Sequence, residues 1–216
     1  MTAADGIRSV RSPSSVAEPT AWRRAAFLVY GPSAAAALGW LAWRGGPDLI
    51  WARLVGTDVV AGLVLGGLAG LGLLGVSIWL AQFWRPARRF EQAFTELIGP
   101  LRPATCWLLA ATSSVVEEIV FRATIQPELG LWITSLVFGG LHFPFSRRLL
   151  LWPLFVSVVG LLLGYIYERT GTLAAPIATH FVVNLVNLYR LRERPAETAA
   201  GEVAPLHVSN SEPPTS

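Results

Sequence analysis

Thr105-Cys-Trp-Leu-Leu-Ala-Ala-Thr-Ser-Ser-Val-Val-Glu117-Glu118-Ile-Val-Phe-Arg122 runs twelve residues without a charge and then delivers two adjacent carboxylates and an arginine. A charged side chain inside a segment apolar enough for a membrane is costly, so such residues mark function by default. Two further polar signals lie in apolar segments downstream. His142 closes Phe138-Gly-Gly-Leu-His142, and His180 stands four residues before Asn184 in His-Phe-Val-Val-Asn.

The composition agrees with a membrane setting. Of 216 residues, 53% are hydrophobic and 14% charged, against about 25% charged in a soluble domain. The net charge of +3 does not indicate nucleic acid, because the basic residues edge apolar runs rather than line a polar face. All 17 basic residues are arginine, which excludes a lysine nucleophile or Schiff base. The single cysteine, Cys106, sits in an apolar helix and is read as packing. No cleavable signal peptide is evident.

Hydropathy predicts an all-α, polytopic membrane bundle of about six transmembrane helices, with one short amphipathic interfacial helix. Residues 1–20 read as disordered. The transmembrane domain covers 21–194, and 195–216, with His207, reads as a disordered tail. The first span is Ala25–Trp43, with Pro32 expected to kink it and Arg44-Gly-Gly-Pro47 to end it. Val59–Trp84 is the second, its Gly62, Gly66 and Gly70 forming a close-packing face. Phe90 and Phe94 oppose Glu91 and Thr95 in the amphipathic stretch that follows. The third span, Ala104 to about Thr124, carries both glutamates. Trp132–His142 is the core of the fourth, broken by Phe143-Pro144, and Arg147-Arg148 is a turn. Leu149–Tyr167 and Leu173–Leu191 complete the set. These assignments put thirteen arginines inside and four (Arg44, Arg53, Arg122, Arg169) outside. The asymmetry predicts a cell-membrane protein with both termini cytoplasmic.

Helical rise places Glu117 and His180 each about 10 Å from the outer boundary, and His142 about 15 Å. Three spans can therefore deliver these groups to one pocket. Glu118 and Arg122, four apart, share a face and suit a buried ion pair. Glu117 points about 100° away, so it is open to act as a general base on water. His180 and Asn184 share a face and suit donation to a developing oxyanion. No nucleophile-elbow pattern surrounds Ser113 and Ser114, and no phosphate-binding loop is present. Glu117, His142 and His180 form a plausible zinc set, although no His-Glu-x-x-His motif occurs.

At these residues the sequence resembles the CAAX-protease and bacteriocin-processing family, also called Abi or type II CAAX prenyl endopeptidases. Glu117-Glu118-Ile-Val-Phe-Arg122 resembles its Glu-Glu-x-x-x-Arg motif, Phe138 to His142 its Phe-x-x-x-His motif, and His180 to Asn184 its His-x-x-x-Asn motif, in family order over roughly residues 104–190. The resemblance implies an intramembrane endopeptidase acting on a membrane-anchored or hydrophobic peptide. Glu117 would activate water, His142 would hold it, and His180 and Asn184 would stabilise the oxyanion, with Glu118 and Arg122 bracing the helix. A metal-free site is the favoured reading, and a divalent metal such as zinc on Glu117, His142 and His180 is the alternative. The other functional readings are a non-catalytic membrane scaffold or immunity factor, and a small proton-coupled transporter.

Overall fold

The computed structural model describes residues 19–56, 58–98, 101–142 and 151–193. Most of the two expected disordered ends, together with His207, Phe143-Pro144 and Arg147-Arg148, lies outside these residues. No strand occurs among the described residues, in keeping with backbone that must satisfy its own polar groups within lipid.

Helix α1 (Pro19–Leu54) runs through Pro32 with helical dihedrals. Neighbouring helical turns can absorb a proline in a membrane segment. The break falls at Gly45 and Gly46, the latter at φ 65 and ψ −160, a conformation open essentially to glycine alone. Arg44-Gly-Gly-Pro47 thus ends one helix as expected. Pro47 then starts a second short helix, to Leu54, in a stretch to which the sequence reading assigned no element.

Helix α2 (Val59–Phe83) is capped by Asp58, which accepts from the Ala61 amide at 2.9 Å. Its glycines divide by face. Gly62, Gly66 and Gly70 are buried, and a Cβ on Gly66 would fall on the Ala175 carbonyl. A Cβ on Gly67, Gly72 or Gly75 would meet nothing. The first three form the groove that receives α7 (Ala174–Glu193), introduced below in chain order, and the other three face away from it.

Helix α3 (Arg85–Ile98) is the expected amphipathic element. Phe90 stacks on Trp152 at a centroid separation of 4.8 Å, Phe94 meets the same ring tilted at 5.3 Å, and Glu91 pairs with Arg190 at 3.1 Å. Helix α4 (Pro103–Glu118) passes into a π-helical turn, Ile119–Ile125, and then α5 (Gln126–Leu141). Pro127 explains the widened turn: in α register its ring would press on the carbonyl of residue 123. Instead the Gln126 amide reaches Phe121, five residues back.

Among the described residues, the run Pro103–Leu141 is one of three long and apolar enough to cross a membrane, with Ala21–Leu54 and Val59–Phe83. It is not straight. Phe121 and Phe138 would lie about 25 Å apart on a continuous helix, yet their rings meet edge-on at 4.7 Å. The chain reverses at Gly130, φ 77 and ψ 168. The third and fourth apolar segments are therefore two legs of a hairpin. Helices α6 (Trp152–Thr170) and α7 are 19 and 20 residues long, near the length of a span, but their charged C-terminal turns lower their hydropathy. Gly171 in the left-handed region closes α6, and Thr172 accepts from the Ala174 amide to open α7.

One arginine was misassigned by the topology count. Arg122 is fully buried in the bundle, so it does not mark an outer loop.

Candidate active site

Glu117 ends the penultimate position of α4, where the change to the π turn begins. Its two oxygens have different surroundings. Oε1 accepts from the Tyr30 hydroxyl at 3.0 Å. Oε2 is buried without a hydrogen-bond partner, and it stands 3.8 Å from His142 Nε2 and 3.9 Å from His180 Nε2. The residues picked out from three separate segments thus converge on one oxygen.

The tautomers follow from the other ring nitrogens. His142 Nδ1 lies 2.7 Å from the Phe138 carbonyl, and His180 Nδ1 lies 2.9 Å from Glu118 Oε1. A carbonyl or carboxylate only accepts, so both Nδ1 atoms carry hydrogen, and both Nε2 atoms face Glu117.

Glu118 and Arg122 form the expected ion pair, Nε to Oε2 at 3.0 Å, with both side chains fully buried. Glu118 does more than brace the helix, since its second oxygen orients His180. Arg122 continues inward to Gln126 Oε1 at 3.3 Å, and Gln126 donates to the Gly164 carbonyl and to Glu168. Arg122 Nη2 has no acceptor, but the guanidinium lies 5.3 Å from the Phe138 ring centroid, which offers the cation a π face. Gly164 leaves room for this network, since a Cβ there would press on the ends of the Gln126 and Leu131 side chains.

Asn184 donates through Nδ2 to Ser113 Oγ at 3.0 Å. Ser113 lies one turn before Glu117 on α4, so the carboxamide and the carboxylate are tied to the same helix face. Tyr30, Ser113, Glu117, His142, His180 and Asn184 all line one cavity of about 450 Å³. Away from these groups the cavity is mostly apolar, with Glu91, Asn187 and Arg190 also in its wall, and it reaches Phe90 and Phe94 of the interfacial helix and Trp152 of α6.

Sequence reasoning missed Tyr30, Ser113 and Gln126. Ser113 shared a face with Glu117 by spacing and was set aside only as a nucleophile. Tyr30 was legible as a lone phenol in the first span, but nothing local linked it to a residue 87 positions away. Cys106 is buried and free, as expected of packing.

The donor set was tested against a divalent metal. Bonds of about 2.0 Å in a tetrahedral site put ligand atoms about 3.3 Å apart, whereas the two imidazole nitrogens stand 3.8 and 3.9 Å from the carboxylate oxygen. No group of three or more His, Cys, Asp or Glu in ion-holding arrangement occurs among the described residues. Contacts of about 2.8 Å to a tetrahedral water would put its partners about 4.6 Å apart, so the observed spacing lies between that of a closed metal shell and that of a bridging water.

Residues 100–186 match the family model described as Type II CAAX prenyl endopeptidase Rce1-like. That segment holds Glu117, Glu118, Arg122, His142, His180 and Asn184, and it agrees with the resemblance carried by the three motifs. Over 76 residues the chain is 40% identical to "Uncharacterized protein YpbD" of Bacillus subtilis (strain 168). The aligned stretch covers 35% of this chain and 40% of that protein. No solved structure matches the chain.

Proposed function

We propose that this chain is an intramembrane endopeptidase that hydrolyses a peptide bond of a membrane-associated or hydrophobic substrate with water activated by Glu117. The observation that carries the reading is the unsatisfied Glu117 Oε2 facing two imidazole nitrogens at 3.8 and 3.9 Å. The Glu117 oxygen and the two ring nitrogens face one point, where a water can donate to the carboxylate and to His142.

In the proposed reaction one hydrogen of that water faces Glu117 Oε2 and the other His142 Nε2. Glu117 removes a proton as the water oxygen attacks the carbonyl carbon. Asn184 spends one amide hydrogen on Ser113 and keeps the second for the developing oxyanion. His180 joins it when Nε2 carries a proton, Nδ1 already being committed to Glu118. Collapse of the tetrahedral intermediate breaks the C–N bond, and Glu117 passes its proton to the leaving amine. The products are a carboxylic acid, which keeps the second hydrogen of the water, and an amine; proton exchange between them gives a carboxylate and an ammonium ion.

The apolar walls of the cavity support a hydrophobic substrate, and the Rce1-like match over residues 100–186 supports proteolysis in the membrane. The arginine asymmetry supports placement in the cell membrane with cytoplasmic termini. The test compares C-terminal peptidomes of cells carrying wild type and Glu117→Gln. New C-termini that vanish in the variant are expected, and they would also identify the substrate. Identical peptidomes, with both proteins equally inserted, would sink the reading.

A further inference from the structure

The family match begins at residue 100, yet the direct hydrogen bond to Glu117 comes from α1, 87 residues upstream. We infer that Tyr30 is a positioning residue that fixes the Glu117 carboxylate so that Oε2 alone is the basic oxygen. This rests on the hydrolytic reading of Glu117 and extends the site to a helix outside the matched segment.

A carboxylate has two equivalent oxygens, and its terminal torsion is broad and roughly two-fold. A base must nevertheless hold one oxygen in line with the water it deprotonates, and loss of that alignment lowers the rate. The Tyr30 hydroxyl takes up Oε1 at 3.0 Å and leaves Oε2 without a partner, facing both rings. The surroundings of Tyr30 fit this task. Phe27, Leu28 and Val29 just before it are largely exposed, as lipid-facing residues would be, whereas Tyr30 is half-buried and lines the cavity. Further along, Leu41 is locked in a core cluster with Ala123 and Leu173, and Arg44 pairs with Glu128 at 2.9 Å. These contacts hold α1 against the π turn and its flanks, so the height of the phenol relative to Glu117 is set by the fold.

Tyr30→Phe keeps the ring and its packing and removes only the donor. The full-length protein in phosphatidylcholine nanodiscs gives two readouts. First, the infrared difference between wild type and Glu117→Gln isolates the Glu117 carboxyl band. Tyr30→Phe is expected to shift that band, and an unmoved band overturns the inference whether or not a substrate is in hand. Second, turnover is measured on a library of internally quenched apolar peptides. Tyr30→Phe is expected to lower kcat about tenfold with KM within about twofold, a split that loss of packing would not produce. Wild-type kcat in Tyr30→Phe overturns the inference while Glu117 remains the base. Wild-type kcat in Glu117→Gln instead removes the hydrolytic reading itself, and the role of Tyr30 with it.

Discussion

Glu118 Oε1 stands 2.9 Å from His180 Nδ1, so the second glutamate of the adjacent pair holds the ring that faces the first. One carboxylate, Glu118, has all its charge engaged by Arg122 and His180. The other, Glu117, keeps an oxygen open to the cavity. A one-residue step along a helix turns the side chain by about 100°, which is enough to give neighbours of identical chemistry different tasks.

The two glutamates should separate in a stability measurement. Glu118→Ala leaves Arg122 buried and unpaired, and the expected cost is about 3–5 kcal/mol. Glu117→Gln removes no ion pair with arginine and should stay within about 1 kcal/mol of wild type. Thermal unfolding in nanodiscs checks both, and equal losses would contradict the division of labour.

Asn184→Ala removes a donor at the site proposed for the oxyanion. The expected fall in kcat is about 10²–10³-fold. Ser113→Ala removes only the group that steadies the amide, so a smaller fall, about tenfold or less, is expected. Steady-state kinetics on the same peptide decides, and a larger effect at Ser113 than at Asn184 would reverse the assignment.

Glu117, His142 and His180 are spaced more openly than a metal shell requires. Dialysis against a strong chelator is therefore expected to leave turnover within about twofold of the untreated protein. Elemental analysis of the same sample completes the test. Loss of activity that returns on adding zinc would show that the three side chains close around an ion.

The α2 glycines give a test of packing alone. Gly66→Ala places a methyl group on the Ala175 carbonyl and should cost about 1–3 kcal/mol. Gly67→Ala meets nothing and should change stability by no more than about 0.5 kcal/mol. Comparable unfolding temperatures for the two variants would argue against the α2–α7 contact.

The sequence revealed the helices because lipid requires long apolar runs, and it revealed the inward residues because charge in such runs is rare. The facing of Glu118 and Arg122 followed from spacing, and their ion pair is present in the structure. Other features depended on contacts that no local pattern encodes. The helix after Pro47 is short, and the sequence reading assigned no element between Pro47 and Val59. The hydrogen bonds of Tyr30 to Glu117 and of Glu118 to His180 join residues 87 and 62 positions apart, a distance that periodicity cannot cross.

The Thr179 hydroxyl donates to the Gly66 carbonyl at 2.9 Å, and His180 is the next residue along α7. The bare ridge of α2 therefore works as a depth gauge: it stops α7 at the height where the imidazole meets Glu117. A helix with no reactive group of its own sets the calibration of the centre. The centre also stays incomplete until the last helix has seated, so a partly synthesised chain would carry the carboxylate and the first ring without the second.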